Sequence, residues 1–383
     1  MTASQPLAGC RIGLLSAWAS RLGGGVFEAV VAQAQLLLAA GADVQVFALA
    51  DQFSAEDAAR FGAVPVQTFA VRGPAQIGYA PKLLGALEAA RLDCLHLHGI
   101  WMYPSLVGSR WARRSGAGYV VSPHGMLDPW ITARGRWKKA LARAGYERQS
   151  WQRASFLHAL TAREAADIAR ESERHDSMVI ANPGPPVGTA PLAQRAANLV
   201  YIGRIHPKKN LAALIAGWSV TERPAHSSLT IAGWGEAADV GELERAVRAA
   251  GPSVRFVGPV YGAAKQALLD NARFTVLTSH SEGLPMAVLE GWAAGTPAIM
   301  TSQCNLPEGF ARGAALQCGF TAETIAPVIT KALALDDAQW LAMAQAAQAL
   351  AAGPFAAETI AARWSAAYLR AIVAKGDRRD RTA

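Results

Sequence analysis

The stretch HSEGLPMAVLEGWAAGTP, residues 280–297, follows one apolar run and precedes another, and it decides the fold of this half of the chain. Residues 274–277 form a short run of strand-favouring composition. Pro285 suits the first position of a helix, and residues 286–294 have the composition and apolar spacing of a helix. The stretch therefore predicts a strand, a loop, a helix and a second strand.

Two glutamates in this stretch are candidates for ligand binding. Glu282 is placed in the loop at the carboxyl end of a strand, and Glu290 lies eight positions later on the helix. In a parallel α/β sheet, ligands bind beyond the carboxyl ends of the strands. The two carboxylates can accept hydrogen bonds from sugar or ribose hydroxyl groups, or they can be a solvated loop residue and a surface helix residue.

The length and composition predict a globular protein of about two domains. A chain of 383 residues exceeds one ordinary core, and 51% apolar with 17% charged residues fits large buried sheets. No run of about 18 apolar residues and no signal peptide is evident, so we expect a cytoplasmic protein. The four cysteines are scattered without a C-x-x-C pair, which favours reduced thiols over disulfides or zinc.

The first half opens with a strand, a glycine loop and a helix. Residues 11–16 resemble a buried strand, Gly24 and Gly25 lie in a run of three glycines, and residues 26–40 are helix-like. Such a loop lets backbone N–H groups approach a phosphate, although it can also be only a flexible turn.

Histidines follow two further predicted strands. His96 and His98 lie on one face of the strand at residues 94–98, where they can be packed side chains or two ligands of a metal that lacks an evident third. His124 follows the strand at residues 119–122. It can bind a sugar hydroxyl, or it can be a packed or solvated loop residue.

The segment RGRWKKALARAGYERQSWQR, residues 134–153, carries seven basic residues and one acidic residue. As one helix it would group Trp137 with Leu141 and Trp151 on one side, and Lys138, Lys139 and Arg143 elsewhere. Such a helix can lie on an anionic membrane surface, or it can pack on the sheet with a solvated basic face. Nucleic acid is not expected, because no recognisable binding module accompanies the charge.

The second half repeats the α/β alternation after a Pro- and Gly-rich segment. We expect one Rossmann-like domain over residues 1–181, a linker over 182–197 and a second such domain over 198–360. Residues 361–383 are expected to form a terminal helix that returns to the first domain and ends in a frayed tail. Arg204 and Lys209 flank the strand end and helix start that open the second domain, where two cations can neutralise a diphosphate.

An ordered series of motifs resembles the family-4 retaining glycosyltransferases of the GT-B fold. The motifs are GGGVFE, SPHGMLDPW, GRIHPKKN, IAGWGE, FVGPV, SEGLPMAVLE and AAGTPAI. The spacing between Glu282 and Glu290, with GLP between them, is the most specific feature. Trp234 departs from the resemblance, because many relatives have a small polar or acidic residue there, and NPGPP replaces the commoner NG linker.

The resemblance implies two Rossmann-like α/β domains that face a central crevice, with the acceptor side in the N-terminal domain and a nucleotide sugar bound in the crevice. Arg204 and Lys209 would hold the diphosphate with help from Gly24 and Gly25, and His124 would lie beside the donor sugar and the acceptor. Glu282 would contact the donor sugar, and Glu290 the ribose. Backbone groups would bind the sugar at Leu284, Pro285, Met286 and Ala287, and the base near Val260.

The resemblance also implies retention by front-face attack, with the leaving phosphate taking the acceptor proton. Because the chain has no Asp-x-Asp motif, no metal and no other cofactor is expected. We therefore predict a retaining glycosyltransferase that moves a sugar from a UDP- or GDP-linked donor to a saccharide.

The acceptor is expected to be polyprenyl-linked, in exopolysaccharide, capsule or lipopolysaccharide assembly at the inner face of the plasma membrane. The alternatives are a GT-B protein that binds a nucleotide or saccharide without transfer and, less well supported because G-x-G-x-x-G is missing, a dehydrogenase.

Overall fold

The computed structural model describes residues 5–189, 192 and 195–373. The chain divides into two compact units, Met1–Ala181 with Ile360–Ala383, and Asn182–Thr359. Each unit has one parallel sheet with helices packed on it, so the predicted pair of Rossmann-like α/β domains is confirmed. The expected frayed tail, residues 374–383, lies outside the described residues, as do four residues of the predicted linker.

The first unit has a seven-stranded parallel sheet in the order β3-β2-β1-β4-β5-β6-β7. Its central strands are buried on both faces because helices cover both sides, as in other parallel sheets. The strands are β1 (Arg11–Trp18), β2 (Asp43–Leu49), β3 (Val66–Phe69), β4 (Cys94–His98), β5 (Gly118–Ser122), β6 (Phe156–Ala159) and β7 (Met178–Val179).

Within the described residues, nine α-helices contribute to the first unit. They are α1 (Gly25–Ala39), α2 (Ser54–Asp57), α3 (Leu83–Ala89), α4 (Tyr103–Ser115), α5 (Pro129–Ala133), α6 (Arg136–Ala142), α7 (Arg148–Arg153), α8 (Ala162–Ser172) and α16 (Ala357–Val373). The terminal helix α16 buries Ile360, Trp364 and Tyr368 in the core of this unit. Burying a large apolar side chain stabilises a fold by about 2 kcal/mol, so this helix is an integral part of the first unit.

The second unit has a six-stranded parallel sheet in the order β10-β9-β8-β11-β12-β13. Its strands are β8 (Asn198–Ile202), β9 (Ser228–Ala232), β10 (Val254–Phe256), β11 (Phe274–Leu277), β12 (Ala298–Met300) and β13 (Ala315–Gln317). Its helices are α9 (Leu211–Val220), α10 (Ala237–Ala250), α11 (Gly262–Asn271), α12 (Met286–Ala293), α13 (Pro307–Ala311), α14 (Ala322–Ala334) and α15 (Asp337–Ala352).

Residues 274–297 fold as predicted, except that the helix begins one residue later. Strand β11 has the predicted bounds, and Gly295 adopts a left-handed φ of 70° after α12. Pro285 is the extended residue before the helix, and Met286 is the first helical residue. Asn210 has a left-handed backbone and donates from its side chain to the Phe320 carbonyl, so it does not cap α9 through its side chain.

Residues 136–153 form one continuous helical run, but the predicted grouping of Trp137, Leu141 and Trp151 on one apolar side is wrong. A π-helical turn, Arg143–Glu147, separates α6 from α7. A π turn adds a residue to the helical repeat and rotates the faces that follow it. Consequently Trp151 is buried, whereas Trp137 and Leu141 on α6 are 66% and 65% exposed.

Two of the basic residues of this segment form a hydrogen bond or an ion pair with other groups of the protein. Lys139 donates to the Ile131 carbonyl, and Arg143 is paired with Glu171. Lys138 lies over the Trp137 ring at 5.5 Å. Among the described residues, no helix is both long and apolar enough to cross a bilayer.

A chain of buried hydrogen bonds crosses the first sheet. His96 Nδ1 contacts the Tyr368 hydroxyl at 2.6 Å, and its Nε2 contacts Ser122 Oγ at 2.6 Å. Ser122 Oγ also contacts His158 Nδ1 at 2.7 Å, and His158 Nε2 donates to the Ile180 carbonyl. Both nitrogens of His96 are thus satisfied by protein groups, which favours a structural role over the metal-ligand alternative.

Burial lowers the pKa of His158 to about 4 and that of His96 well below its usual value. In the unfolded chain these histidines have a pKa of about 6.5. As the pH falls, the unfolded chain therefore binds protons at a higher pH than the folded protein does. We therefore predict that the free energy of unfolding decreases from pH 6.5 towards 4, by about 1.4 kcal/mol per pH unit for each such histidine. Urea unfolding measured at a series of pH values tests this.

The matched pair for that experiment is His158→Gln and His226→Gln, because His226 is exposed. We expect His158→Gln to make the pH slope less steep, whatever its own stability, and His226→Gln to leave the slope unchanged. Equal slopes in all three proteins would contradict the assignment.

Candidate functional site

The loops after β8 and β11 meet at the point where the strand order of the second sheet reverses. The two strands are neighbours in the sheet although β9 and β10 lie between them in the sequence. Ligands of open parallel sheets bind outside the carboxyl ends of the strands at such a point. The predicted residues Arg204, Lys209 and Glu282 all lie in these two loops.

An ion pair between Lys209 and Glu282 joins the two loops. Lys209 Nζ lies 2.5 Å from Glu282 Oε1, and the two side chains are 21% and 10% exposed. Ser279 Oγ also donates to Glu282 Oε1 at 2.6 Å. Charge-assisted hydrogen bonds of this kind are about twice as strong as neutral ones, so the Glu282 carboxylate is held in a defined position.

Backbone contacts fix the Glu282 loop further. Thr278 Oγ1 donates to the Lys209 carbonyl at 3.2 Å, and Thr301 Oγ1 donates to the Ser279 carbonyl at 2.7 Å. Asn305 Nδ2 donates to the Glu282 carbonyl at 2.5 Å. The loop therefore presents a preorganised carboxylate.

Glu290 forms a separate ion pair with Lys265. Lys265 Nζ on α11 lies 2.7 Å from Glu290 Oε1 on α12, and the two side chains are 32% and 22% exposed. Sequence reasoning missed Lys265, which lies in no recognised motif. Its sequence signal is a single cation on the helix after Val260, and only the packing of α11 against α12 shows its partner.

Arg204 does not contact the Lys209–Glu282 pair. Its guanidinium lies over the Trp234 ring at 5.4 Å and 3.4 Å from Glu236 Oε1, and its side chain is 47% exposed. The residue that departs from the resembled family, Trp234, is thus the residue on which Arg204 stacks. An exposed ion pair of this length contributes less than about 1 kcal/mol, so Arg204 can change partners.

The backbones after β8 and β9 approach each other closely at Gly233. A Cβ added to Gly233 would lie 1.8 Å from the Gly203 carbonyl oxygen. Beyond this point Ile205 and Gly235 form a parallel bridge. The glycine in the motif IAGWGE therefore brings Trp234 beside the loop that carries Arg204.

The remaining predicted residues of the second unit lie around the start of α12 and before α11. Leu284 and Pro285 precede α12, and Met286 and Ala287 are its first two residues. No side chain of the described residues caps this helix start, so its first N–H groups can bind a ligand. Val260 lies in the connection between β10 and α11, the helix that carries Lys265.

In the first unit, Gly24 and Gly25 form the start of α1. Gly24 has φ 53° and ψ −129°, a conformation that favours glycine, and Gly25 is the first helical residue. Both are exposed. Arg21 in the preceding turn forms a two-pronged ion pair with Asp57, which anchors the turn to α2.

His124 lies at the carboxyl end of β5 with a left-handed φ of 53°. Its Nε2 is 3.0 Å from His98 Nδ1, and burial lowers its pKa to about 3. The ring is therefore neutral at pH 7 and acts as a hydrogen-bonding group, not as a cation. Sequence reasoning named His98 as a strand residue that is packed or ligates a metal, and it missed this contact.

Two buried carboxylates hold the loops around His124. Glu164 on α8 accepts from the Gly125 N–H at 2.6 Å and the Leu160 N–H at 2.8 Å. Glu147 accepts from the Trp101 N–H at 2.5 Å, where Trp101 has φ 77°. The contacts to Gly125 and Trp101 have no local signal in the sequence, because each spans more than thirty residues.

Comparisons with known proteins identify glycosyltransferase domains in the chain. Residues 24–184 match the family model of a glycosyl transferase 4-like domain, and residues 196–335 match the family model of glycosyl transferases group 1. Among curated proteins, none matches the chain.

Solved structures share the fold across nearly the whole chain. HepE of Anabaena in complex with UDP is 19% identical, with 93% of this chain and 99% of that chain covered and a TM-score of 0.75. Sucrose-phosphate synthase of Thermosynechococcus elongatus is 18% identical, with 95% and 100% covered and a TM-score of 0.73. The lipopolysaccharide outer core galactosyltransferase WaaB is 17% identical, with 95% and 99% covered and a TM-score of 0.67.

At these identities the solved structures show only the fold. The two family models, which together cover most of the chain, show that it is a glycosyltransferase. On both grounds the chain belongs to the glycosyltransferases of the GT-B fold.

Proposed function

We propose that the protein is a retaining, family-4 glycosyltransferase that moves a sugar from a UDP- or GDP-linked donor to a saccharide acceptor. The observation that carries the proposal is the Lys209–Glu282 pair at the reversal point of the second sheet. There Lys209, a cation that can bind a diphosphate, is hydrogen-bonded to Glu282, a carboxylate that can bind a sugar. HepE, which shares the fold, is seen with UDP-glucose, which supports a nucleotide sugar as donor.

In this proposal the diphosphate is neutralised by Lys209, Arg204 and the uncapped start of α12, and the glycine loop at Gly24 and Gly25 is a further candidate phosphate-binding element in the first unit. Arg204 would exchange its exposed partner Glu236 for a phosphate oxygen. These groups offset the charge that develops on the leaving diphosphate, and such electrostatic stabilisation can be the main catalytic term. No metal ion is assigned a role.

The two glutamates have different tasks in the proposal. Glu282, fixed by Lys209 and Ser279, accepts from hydroxyl groups of the transferred sugar, while backbone groups from Leu284 to Ala287 bind the same sugar. Glu290, fixed by Lys265, accepts from the ribose hydroxyl groups, and the backbone near Val260 contacts the base.

His124 is assigned to the acceptor side. Its Nδ1 makes no hydrogen bond within the part of the chain that the structure describes, and its neutral ring can orient the acceptor hydroxyl or the donor sugar. Attack on the same face as the leaving group, with the leaving phosphate taking the acceptor proton, gives retention without an enzymic nucleophile.

We further propose a polyprenyl-linked acceptor in exopolysaccharide, capsule or lipopolysaccharide assembly, reached from the cytoplasmic face of the membrane. Trp137 and Leu141 on α6 are exposed beside Lys138, which is the arrangement expected of an interfacial helix.

The donor is tested by a panel of UDP- and GDP-linked sugars. We expect one of them to raise the thermal unfolding midpoint and to be hydrolysed slowly without an acceptor. Glu282→Ala should reduce that hydrolysis by about 100-fold or more, since a lost transition-state contact costs on the order of 3 kcal/mol. Hydrolysis unchanged by Glu282→Ala would favour a protein that binds nucleotide sugars without transferring them.

The division of labour between the glutamates is tested by kinetics of two matched substitutions. We expect Glu282→Gln to lower mainly kcat, because Glu282 contacts the reacting sugar, and Glu290→Gln to raise mainly the KM for the donor. Glu308→Gln is the control, an exposed glutamate on α13. Equal changes in kcat and KM for both substitutions would contradict the assignment.

Membrane contact is tested by sedimentation with phosphatidylglycerol vesicles at low salt. We expect the protein to sediment with the vesicles and the triple substitution of Lys138, Lys139 and Arg143 by Gln to release it, because each surface cation contributes about 1 kcal/mol to such binding. Wild-type protein that remains in solution, or sedimentation unaffected by the substitutions, would contradict membrane contact through α6.

A further inference from the structure

A cationic groove lies in the first unit between α6 and α8. Its volume is about 540 Å³, and its lining includes Arg136, Trp137, Lys139, Arg143, Arg170 and Glu171. Four of these side chains are basic and one is acidic. An opening of this size accommodates a small charged group, and its lining carries a net positive charge.

The cations on the α8 side of the groove have carboxylate partners. Glu171 is paired with Arg143 and lies 3.4 Å from Arg170, and Asp167 lies 2.6 Å from Arg170. These pairs hold the two arginines in place and neutralise part of their charge.

Arg136 and Lys139 on α6 have no carboxylate partner within the described residues. Lys139 donates to the Ile131 carbonyl, and its pKa is lowered by burial and by the charge of Arg134. A bound anion would offset this repulsion between cations. The α6 side of the groove therefore carries the excess charge.

The groove is connected to the loop that carries His124. Arg170 Nη2 donates to the Leu127 carbonyl at 2.9 Å, and Glu164 on the same helix accepts from the Gly125 N–H. On its outer side, the exposed Trp137 ring lines the groove and Leu141 follows one turn later. Cationic and apolar surfaces thus lie side by side, as an anionic group on an apolar chain requires.

We propose that this groove binds a phosphate or diphosphate ester, with Arg136 and Lys139 as its principal ligands and Trp137 against the attached apolar chain. The proposal rests on the proposed function, in which the phosphate belongs to the lipid-linked acceptor. General attraction to an anionic membrane would involve all exposed cations of α6, whereas this proposal assigns phosphate binding to the cations of α6 that line the groove.

Isothermal titration with farnesyl diphosphate, in the presence of saturating UDP to occupy a nucleotide site, tests the proposal. The matched pair is Arg136→Gln and Lys138→Gln. Both residues are exposed cations on α6, but only Arg136 lines the groove. We expect Arg136→Gln to weaken binding about tenfold, as expected for the loss of one charge-assisted contact, and Lys138→Gln to change it less than twofold.

Inorganic pyrophosphate and phosphatidylglycerol vesicles distinguish the sources of the phosphate. If the groove binds the phosphate, Arg136→Gln weakens pyrophosphate binding more than Lys138→Gln does. Both substitutions weaken vesicle binding to a similar extent. Discrimination with farnesyl diphosphate but not pyrophosphate would place recognition in the apolar chain and overturn the assignment to phosphate.

Equal weakening by Arg136→Gln and Lys138→Gln, or no binding of either diphosphate, would also overturn the proposal. The thermal shifts caused by UDP and by GDP are measured on the same proteins. Absence of both shifts in the wild-type protein would refute the proposed function, whereas a normal nucleotide shift without discrimination in the groove would refute only this inference.

Discussion

The largely buried ion pair between Lys209 and Glu282 is the contact on which the arrangement of the candidate site depends. Taking two charges out of water is costly, and their attraction compensates only when the remaining hydrogen-bonding capacity is satisfied. Here Ser279 satisfies the same carboxylate, and Thr278 and Asn305 hold the backbone on either side. The loops after β8 and β11 are therefore kept in one conformation before any ligand arrives.

The first unit also uses buried ionisable groups to hold its loops. Burial lowers the pKa of His124 and raises the pKa of Glu147 to about 7, while burial also raises the pKa of Glu164. Each carboxylate accepts the N–H of a loop that contains a left-handed residue, Trp101 or His124. Strained loop conformations persist only when the surrounding structure fixes them, and these long-range hydrogen bonds supply that constraint.

The features that could be predicted from the sequence are those set by neighbouring residues or by a regular repeat of apolar residues. The bounds of β11 and the left-handed Gly295 follow from composition and from the positional preferences of glycine and proline, which act over a few residues. Lys265 could not be found, because its pairing with Glu290 depends on how α11 packs against α12. The π turn before α7 was missed for the same reason, since a helical wheel assumes one repeat and the packing of Trp151 imposes another.

Three cation–carboxylate pairs near the candidate site of the second unit differ in exposure, and this order bears on how a charged ligand would be received. The Lys209–Glu282 pair is the least exposed, Lys265–Glu290 is intermediate, and Arg204–Glu236 is the most exposed. Exposed pairs are weak and are easily exchanged, whereas separating a buried pair leaves an uncompensated charge. An incoming diphosphate would therefore draw Arg204 from Glu236 at little cost, and the two inner pairs would persist as the fixed frame against which the ligand is aligned.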